Sequence, residues 1–232
     1  MVLIAVFSGL VAGAGHVWSG PDHLAAIAPL AVRRPRQAWI PGFRWGIGHS
    51  AGVAVVGVFS LMFREMLPLD LLSSWGERLV GLMLIGIGLW GLQRALKSKV
   101  HVHEHEHDGD RHMHIHTHLH RLAHDEAASH RHTHAAMGIG ILHGLAGSSH
   151  LLGILPMLAF PTRVQACAYL AAFAAGTICS MTFFSWTLGY AAKRCANRGL
   201  AMHRTLIALC GVAAMVIGCV WIVQTFGSIP PH

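Results

Sequence analysis

Charged residues are scarce in this chain, and their scarcity excludes most soluble folds. Only 12% of the 232 residues are Asp, Glu, Lys or Arg, whereas 53% are hydrophobic and the mean hydropathy is +0.50. A soluble domain carries about 25% charged residues. We therefore expect a multi-pass protein of the cytoplasmic membrane, with the lipid bilayer as its surroundings.

Paired cysteines and a basic stripe are absent as well. The five cysteines are an odd number without a C-x-x-C pair, so they predict neither a disulfide framework nor a thiolate metal site, and we expect small buried hydrophobes. The Lys and Arg residues lie between apolar runs, which argues against a nucleic-acid partner despite a pI near 9.7. The apolar N-terminus lacks a basic n-region and is expected to be a retained helix.

Six apolar segments are long enough to cross a hydrocarbon core, which takes about 20 helical residues. The sequence thus predicts an all-α integral membrane protein with six transmembrane helices. Fourteen of the seventeen Lys and Arg residues fall in links 1/2, 3/4 and 5/6, which places these links in the cytoplasm and both termini outside. The predicted spans are approximately residues 2–32, 38–63, 71–96, 135–160, 164–192 and 204–226.

One fifteen-residue motif occurs twice, at 16–30 and 143–157, without a gap. The copies are identical at six positions, including the pairs His16/His143 and His23/His150. Because each copy has three spans, an odd number, the second copy enters the membrane from the opposite side and is inverted. We therefore predict a first repeat of residues 1–97, a loop of 98–134 and a second repeat of 135–232. Inverted repeats with interrupted helices are typical of secondary transporters, whose halves rock about a central site.

The motif itself predicts a site in a broken helix. His16 and His23 are about 10.5 Å apart along an intact helix, too far for one ion, but Gly20-Pro21 can break the first span. The glycines and serines of the second copy can break the fourth span in the same way. Asp22 costs about 2.5–3.5 kcal/mol within a span, which favours a functional role over the alternative, a helix cap.

His49 in the second span completes a set of nitrogen and oxygen donors suited to a borderline divalent metal such as nickel, cobalt or zinc. Asp22 and His49 have no counterparts in the second copy, so we expect the first half to hold the ion and His143 and His150 to enclose it. The predicted metal-binding residues are His16, Asp22, His23, His49, His143 and His150.

These residues resemble a known family. The elements at 16–24, 48–50 and 142–148 look like the nickel/cobalt transporter superfamily, particularly its six-span branch similar to urease-accessory nickel permeases. The resemblance implies Ni²⁺ or Co²⁺ as the transported ion, and His16, Asp22, His23 and His49 as metal-handling residues. It also implies a metallochaperone or metalloenzyme-maturation partner. The family branch favours uptake, but the histidine-rich loop resembles that of exporters in the same superfamily, so efflux stays the alternative.

The middle of the chain is rich in histidine: thirteen of the twenty histidines lie between positions 101 and 134. Their spacing of two is not a helix face, so we expect disorder without metal and loose binding of several ions, as a cytoplasmic buffer or sensor. The alternative is a solvated linker. The predicted buffering residues are His101, His103, His105, His107, His112, His114, His116, His118 and His120.

Two other functions compete with transport. A membrane metal sensor or storage protein would act through the histidine-rich tract, but it leaves the polar residues within the spans unexplained. An intramembrane metalloenzyme is disfavoured because His103-Glu104-x-x-His107 matches H-E-x-x-H only through repetition, and Asp22 is the sole good candidate for a general base. We therefore expect neither an enzyme nor a bound cofactor, only the transported ion.

Overall fold

The computed structural model describes residues 1–33, 35–62, 69–97, 103–107, 110–114, 126–146 and 155–227. In this part of the chain, seven α-helices make up most of the fold, with short 3₁₀ turns at Pro35–Gln37 and Leu155–Ala159. The helices are α1 (Val2–Ser19), α2 (Pro21–Arg33), α3 (Trp39–Met62), α4 (Leu69–Lys97), α5 (Glu126–Ala146), α6 (Arg163–Asn197) and α7 (Leu200–Gly227).

The outer surface of this bundle is apolar. Phe7 on α1 is 71% exposed and Val223 on α7 is 70% exposed, and they are two of many large hydrophobic side chains on the outside. Such a surface suits lipid, where every backbone group must be satisfied within helices. Four described helices are long and apolar enough to cross a membrane: Val2–Ser19, Trp75–Leu96, Arg163–Asn197 and Leu200–Thr225. The chain is a multi-pass membrane protein.

The prediction of six transmembrane helices, with the first and fourth broken, is confirmed only in part. The first predicted span, 2–32, is divided into α1 and α2 at Gly20, as the Gly-Pro pair leads us to expect. Within the fourth, 135–160, the described apolar helix is Ala135–Ala146, and residues 147–154 lie outside the described part, so the length of this span stays a prediction. Among the described residues, helix α3 is not one of the four candidate spans.

The all-α prediction also needs a correction. Strands β1 (His103–His107) and β2 (Asp110–His114) form an antiparallel hairpin inside the histidine-rich tract, with His103 opposite His114 and His105 opposite His112. A period of two, which argues against a helix face, is the natural period of a strand. Helix α5 begins at Glu126, within the segment 98–134 that the sequence assigns to the loop.

Glycines set the helix pairing, and each main pair joins the two sequence halves. Helix α1 packs on α6, α3 on α5, and α4 on α7. A Cβ atom at Gly211 would lie 2.7 Å from the Gly88 carbonyl oxygen, and one at Gly218 would lie 2.6 Å from the Gly81 carbonyl oxygen. Small residues allow backbones to approach this closely, as in many membrane helix pairs. The halves are interleaved by these contacts.

Two further features frame the site. The short helix α2 packs on α3, α4, α6 and α7, so it lies in the middle of the bundle. The cysteines, expected to be buried, are instead exposed or half-buried on α6 and α7 because they occupy outward positions of these helices, and all five are free: Cys167, Cys179, Cys195, Cys210 and Cys219.

Candidate metal centre

The break between α1 and α2 creates the centre. Helix α1 ends at Ser19, Gly20 is extended (φ −96°, ψ 97°), and α2 restarts at Pro21, which fits the first position of a helix because it needs no amide donor there. The His23 amide donates to the Gly20 carbonyl oxygen over 3.1 Å. Asp22 and His23 therefore occupy the first turn of a new helix in the bundle interior.

Gly20 is required here for space. A Cβ atom at this position would lie 2.8 Å from Asp22 Oδ1 and 2.7 Å from His23 Cε1. Real Cβ atoms do not approach other atoms this closely, so both side chains would have to move. The glycine of the motif lets the backbone pass directly beside the two polar side chains.

The carboxylate of Asp22 joins the two halves of the chain. Its Oδ1 lies 3.0 Å from His23 Nδ1, and its Oδ2 lies 3.0 Å from His143 Nε2. Asp22 is 4% exposed, and His23 and His143 are each 1% exposed. Both carboxylate oxygens are thus engaged by imidazoles, which is not the arrangement of a helix cap. A buried carboxylate is costly unless it is paired, and these two contacts hold the Asp22 side chain in place.

The other nitrogen of His23 faces the end of α1. His23 Nε2 lies 3.1 Å from His16 Nε2. The His49 ring lies 5.0 Å from the His23 ring and stacks on the His16 ring at 5.5 Å, measured between centroids. His49 is fully buried, whereas His16 is partly exposed. His16 is therefore the member of the centre that is most accessible to solvent or to an arriving ion.

Close packing of α3 on α5 brings His49 to His143. A Cβ atom at Gly140 would lie 3.0 Å from the His49 nitrogen, and one at Gly144 would lie 3.0 Å from the Val53 nitrogen. Their absence allows the two backbones to touch, and the imidazole centroids of His49 and His143 are 5.7 Å apart. Gly140, just before the second motif copy, and Gly144 within it thus allow the helix contact that brings the two histidines together.

Trp45 is a member of the centre that the sequence did not reveal. It is fully buried and stacks face to face on His49, with centroids 4.5 Å apart and an 8° angle between the rings. It also meets the rings of His23 and His143 edge-on, each at 5.4 Å. Its position one helical turn before His49 was the available signal. The indole Nε1 is buried and has no hydrogen-bond partner among the described residues.

The structure thus brings together five of the six predicted residues: His16, Asp22, His23, His49 and His143. His150 lies outside the described residues, as do His101, His116, His118 and His120 of the tract. His103, His105 and His107 belong to β1, and His112 and His114 belong to β2. The role of all these residues as metal ligands stays a prediction.

The donor set fits a metal ion. The ligand atoms of His16, His23 and His49 all lie within 4.8 Å of one another, and so do those of Asp22, His23 and His143. Metal–imidazole bonds of about 2.0–2.1 Å hold neighbouring nitrogens within about 4 Å, so small side-chain movements would suffice. Neutral imidazole with one carboxylate is a donor combination for divalent transition ions rather than for calcium or magnesium, which take oxygen ligands.

Comparison with known proteins supplies the family. The family described as the cytochrome C biogenesis protein transmembrane region matches residues 5–220, which is nearly the whole chain. The chain belongs to this family. The sequence motifs had indicated urease-accessory relatives but not cytochrome c biogenesis, and the centre of this family member is built from histidine and aspartate, with no cysteine in it.

Among curated relatives, the chain is 30% identical over 228 residues to "Chloroplast protein FOR GROWTH AND FERTILITY 2" of Arabidopsis thaliana, covering 97% of this chain and 58% of the relative. It is 31% identical over 188 residues to "Chloroplast protein FOR GROWTH AND FERTILITY 1" of the same plant, covering 81% and 50%. The chain therefore spans only about half the length of these plant proteins.

A bacterial relative is matched over most of its length. The chain is 28% identical over 227 residues to "Urease accessory protein UreH" of Bacillus sp. (strain TB-90), covering 90% of this chain and 86% of the relative. This match agrees with the resemblance to urease-accessory proteins found in the motifs. No solved structure matches the chain.

Proposed function

We propose that this protein carries divalent transition-metal ions, Ni²⁺ or Co²⁺, across the cytoplasmic membrane. The observation that carries the proposal is the cluster of four imidazoles and one carboxylate among helices of a membrane protein, in which every member except His16 is buried. Polar and ionisable groups at this depth are expensive and generally mark ion pathways. A purely structural role would not need four histidines around one aspartate.

The chemistry of the cluster suits such an ion. The Asp22 carboxylate offsets part of the ion's charge, and imidazole nitrogens replace part of its water shell. Imidazole binds nickel, cobalt and zinc well, whereas hard ions prefer oxygen. The bacterial relative is a urease accessory protein, which supports a role in supplying a metal for an enzyme. The partner would be a metallochaperone or metalloenzyme-maturation protein, and the direction would be uptake.

The helix packing suggests what moves. Sequence reasoning led us to expect the two repeats to rock against each other, but glycine contacts tie each repeat to the other. We place the moving boundary elsewhere, between the α4–α7 pair and the group formed by α1, α3, α5 and α6. Helix α2, with Asp22 and His23 in its first turn, packs on both bodies, so a relative shift would open or close the centre.

Flux into proteoliposomes tests the proposal. The purified full chain is reconstituted around a metal-sensitive dye, and Ni²⁺ or Co²⁺ is added outside. We expect saturable flux with the natural protein and none with His23→Ala, while His203→Ala, a half-buried helical histidine outside the centre, serves as the matched control. Metal binding without flux in the natural protein would refute transport and support a sensor or storage protein. Metal accumulation in cells with and without the protein reports the direction, and a fall would indicate efflux.

A further inference from the structure

We propose that the centre is two alternative metal sites in series that share His23, and that the ion passes from one to the other. This inference rests on the proposed transport function and says how the same residues divide the work. The first site, the three-histidine group, consists of His16, His23 and His49. The second, the aspartate group, consists of Asp22, His23 and His143.

The division follows from the geometry. Among the described residues, the ligand atoms form two clusters that fall within 4.8 Å, and each contains three residues. His23 belongs to both through opposite edges of its ring: Nε2 lies 3.1 Å from His16, and Nδ1 lies 3.0 Å from Asp22. One ion cannot bind both edges of a single imidazole. The five residues therefore form two adjoining sites and not one pentadentate site.

The chemistry of imidazole makes the two sites alternatives. A neutral imidazole has one nitrogen with a free lone pair, and its other nitrogen carries the proton. When His23 Nε2 binds an ion in the three-histidine group, Nδ1–H donates to the Asp22 carboxylate, which is the usual arrangement of a carboxylate behind a metal-bound histidine. When Nδ1 binds an ion in the aspartate group, Nε2–H faces His16. One ion at a time is held.

Exposure gives the order from the accessible side. The three-histidine group contains the partly exposed His16, whereas all members of the aspartate group are buried. An arriving ion therefore meets three neutral nitrogens first, a donor set that discriminates against calcium and magnesium. The carboxylate is met only in the second, buried site, where its charge compensates for the further loss of water.

Cobalt binding monitored by Trp45 fluorescence tests this division. Trp45 touches the rings of His23, His49 and His143, so a paramagnetic Co²⁺ in either group should quench it. The same titration of the Trp45→Phe variant measures the background signal, which comes from the other tryptophans and from ions held by the histidine-rich tract. This background is subtracted from the signal of the natural protein. The full chain is titrated as His16→Ala, His143→Ala and the double variant.

Two alternative sites predict an unusual pattern. Each single variant keeps one intact group and therefore keeps Trp45 quenching, although its flux in proteoliposomes falls at least tenfold because the path is interrupted. The double variant loses both groups, so its loss of Co²⁺ affinity exceeds the product of the two single losses. A loss equal to or smaller than that product means that all five residues hold one ion, and overturns the two-site proposal. If the natural protein shows no flux at all, the proposed function fails instead, so the two failures are distinguishable.

Discussion

Two regions of this chain are rich in histidine, and they differ in how the fold fixes the side chains. The intramembrane centre draws its residues from four helices, α1, α2, α3 and α5, and its contact between Asp22 and His143 spans 121 positions of sequence. The tract from 101 to 134 holds thirteen histidines that are neighbours in sequence. The first region owes its geometry to helix packing, and the second owes its density to repetition.

The difference teaches that the number of histidines does not define a transport site. In the hairpin of the tract, the pairings of His103 with His114 and His105 with His112 repeat the same residue type at every second position. We expect residues repeated in this way to be interchangeable. In the centre, each residue has a distinct partner and burial. We therefore expect single substitutions to have large effects in the centre and small effects in the tract.

The largest effect is expected from Asp22→Asn. This change keeps the size of the side chain but removes the charge that faces His23 and His143, so flux should fall more than about 100-fold, beyond the cost of losing an outer-shell partner. Initial rates of Ni²⁺ flux in proteoliposomes measure it. His105→Asn in the tract is the matched comparison and should keep the natural rate. Equal losses in the two variants would abolish the distinction between the two regions.

Gly20→Ala should have the next largest effect. The added methyl group displaces Asp22 and His23, and we expect flux to fall about 10- to 100-fold, as for variants that disorient metal ligands. Gly15→Ala in α1, five residues before the break, is the control, because its Cβ atom would meet nothing within 4 Å. That variant should keep the natural rate. Natural flux in Gly20→Ala would mean that the tight backbone approach at the break is unimportant.

Sequence reasoning found the polar half of the centre for a physical reason. Histidine and aspartate are conspicuous in an apolar run, and the repeat at an offset of 127 doubles the signal. The break at Gly20-Pro21 was equally visible because proline cannot continue a helix. These features are local in the chain, so no knowledge of the packing was required to locate His16, Asp22, His23, His49 and His143.

The parts that sequence reasoning missed depend on tertiary packing. In the sequence, Trp45 is one aromatic residue among several in an apolar helix. It contacts three histidines of the centre only because α3 packs on α5 and α2. The pairing of α1 with α6 and of α4 with α7 likewise depends on which glycines face each other. The periodicity of the sequence does not predict these partners. The hairpin was missed because a polar tract without a core offers no buried face from which to predict strands.

Trp45→Leu should have an intermediate effect. Loss of the stack frees the His49 ring, and an aromatic pair contributes about 0.5–1.5 kcal/mol, so the Co²⁺ affinity of the protein should fall about two- to tenfold. Trp45→Phe keeps a ring against His49 and should recover most of the affinity. Competition with a metal-binding dye measures both. An equal loss in the Phe and Leu variants would assign the effect to the indole N–H and not to the stack.

The smallest effect is expected in the tract itself. Deletion of 101–134 would remove the first turns of α5, which begins at Glu126, so replacing the nine buffering histidines by asparagine is the better experiment. We predict that the tract acts by holding ions near the membrane, so the half-saturating Ni²⁺ concentration should rise by no more than about threefold, an effective-concentration effect. The maximal flux, which the centre sets, should stay unchanged. A large loss of maximal flux with correct membrane insertion would make the tract part of the transport path. The two histidine-rich regions would then bind the same ion one after the other.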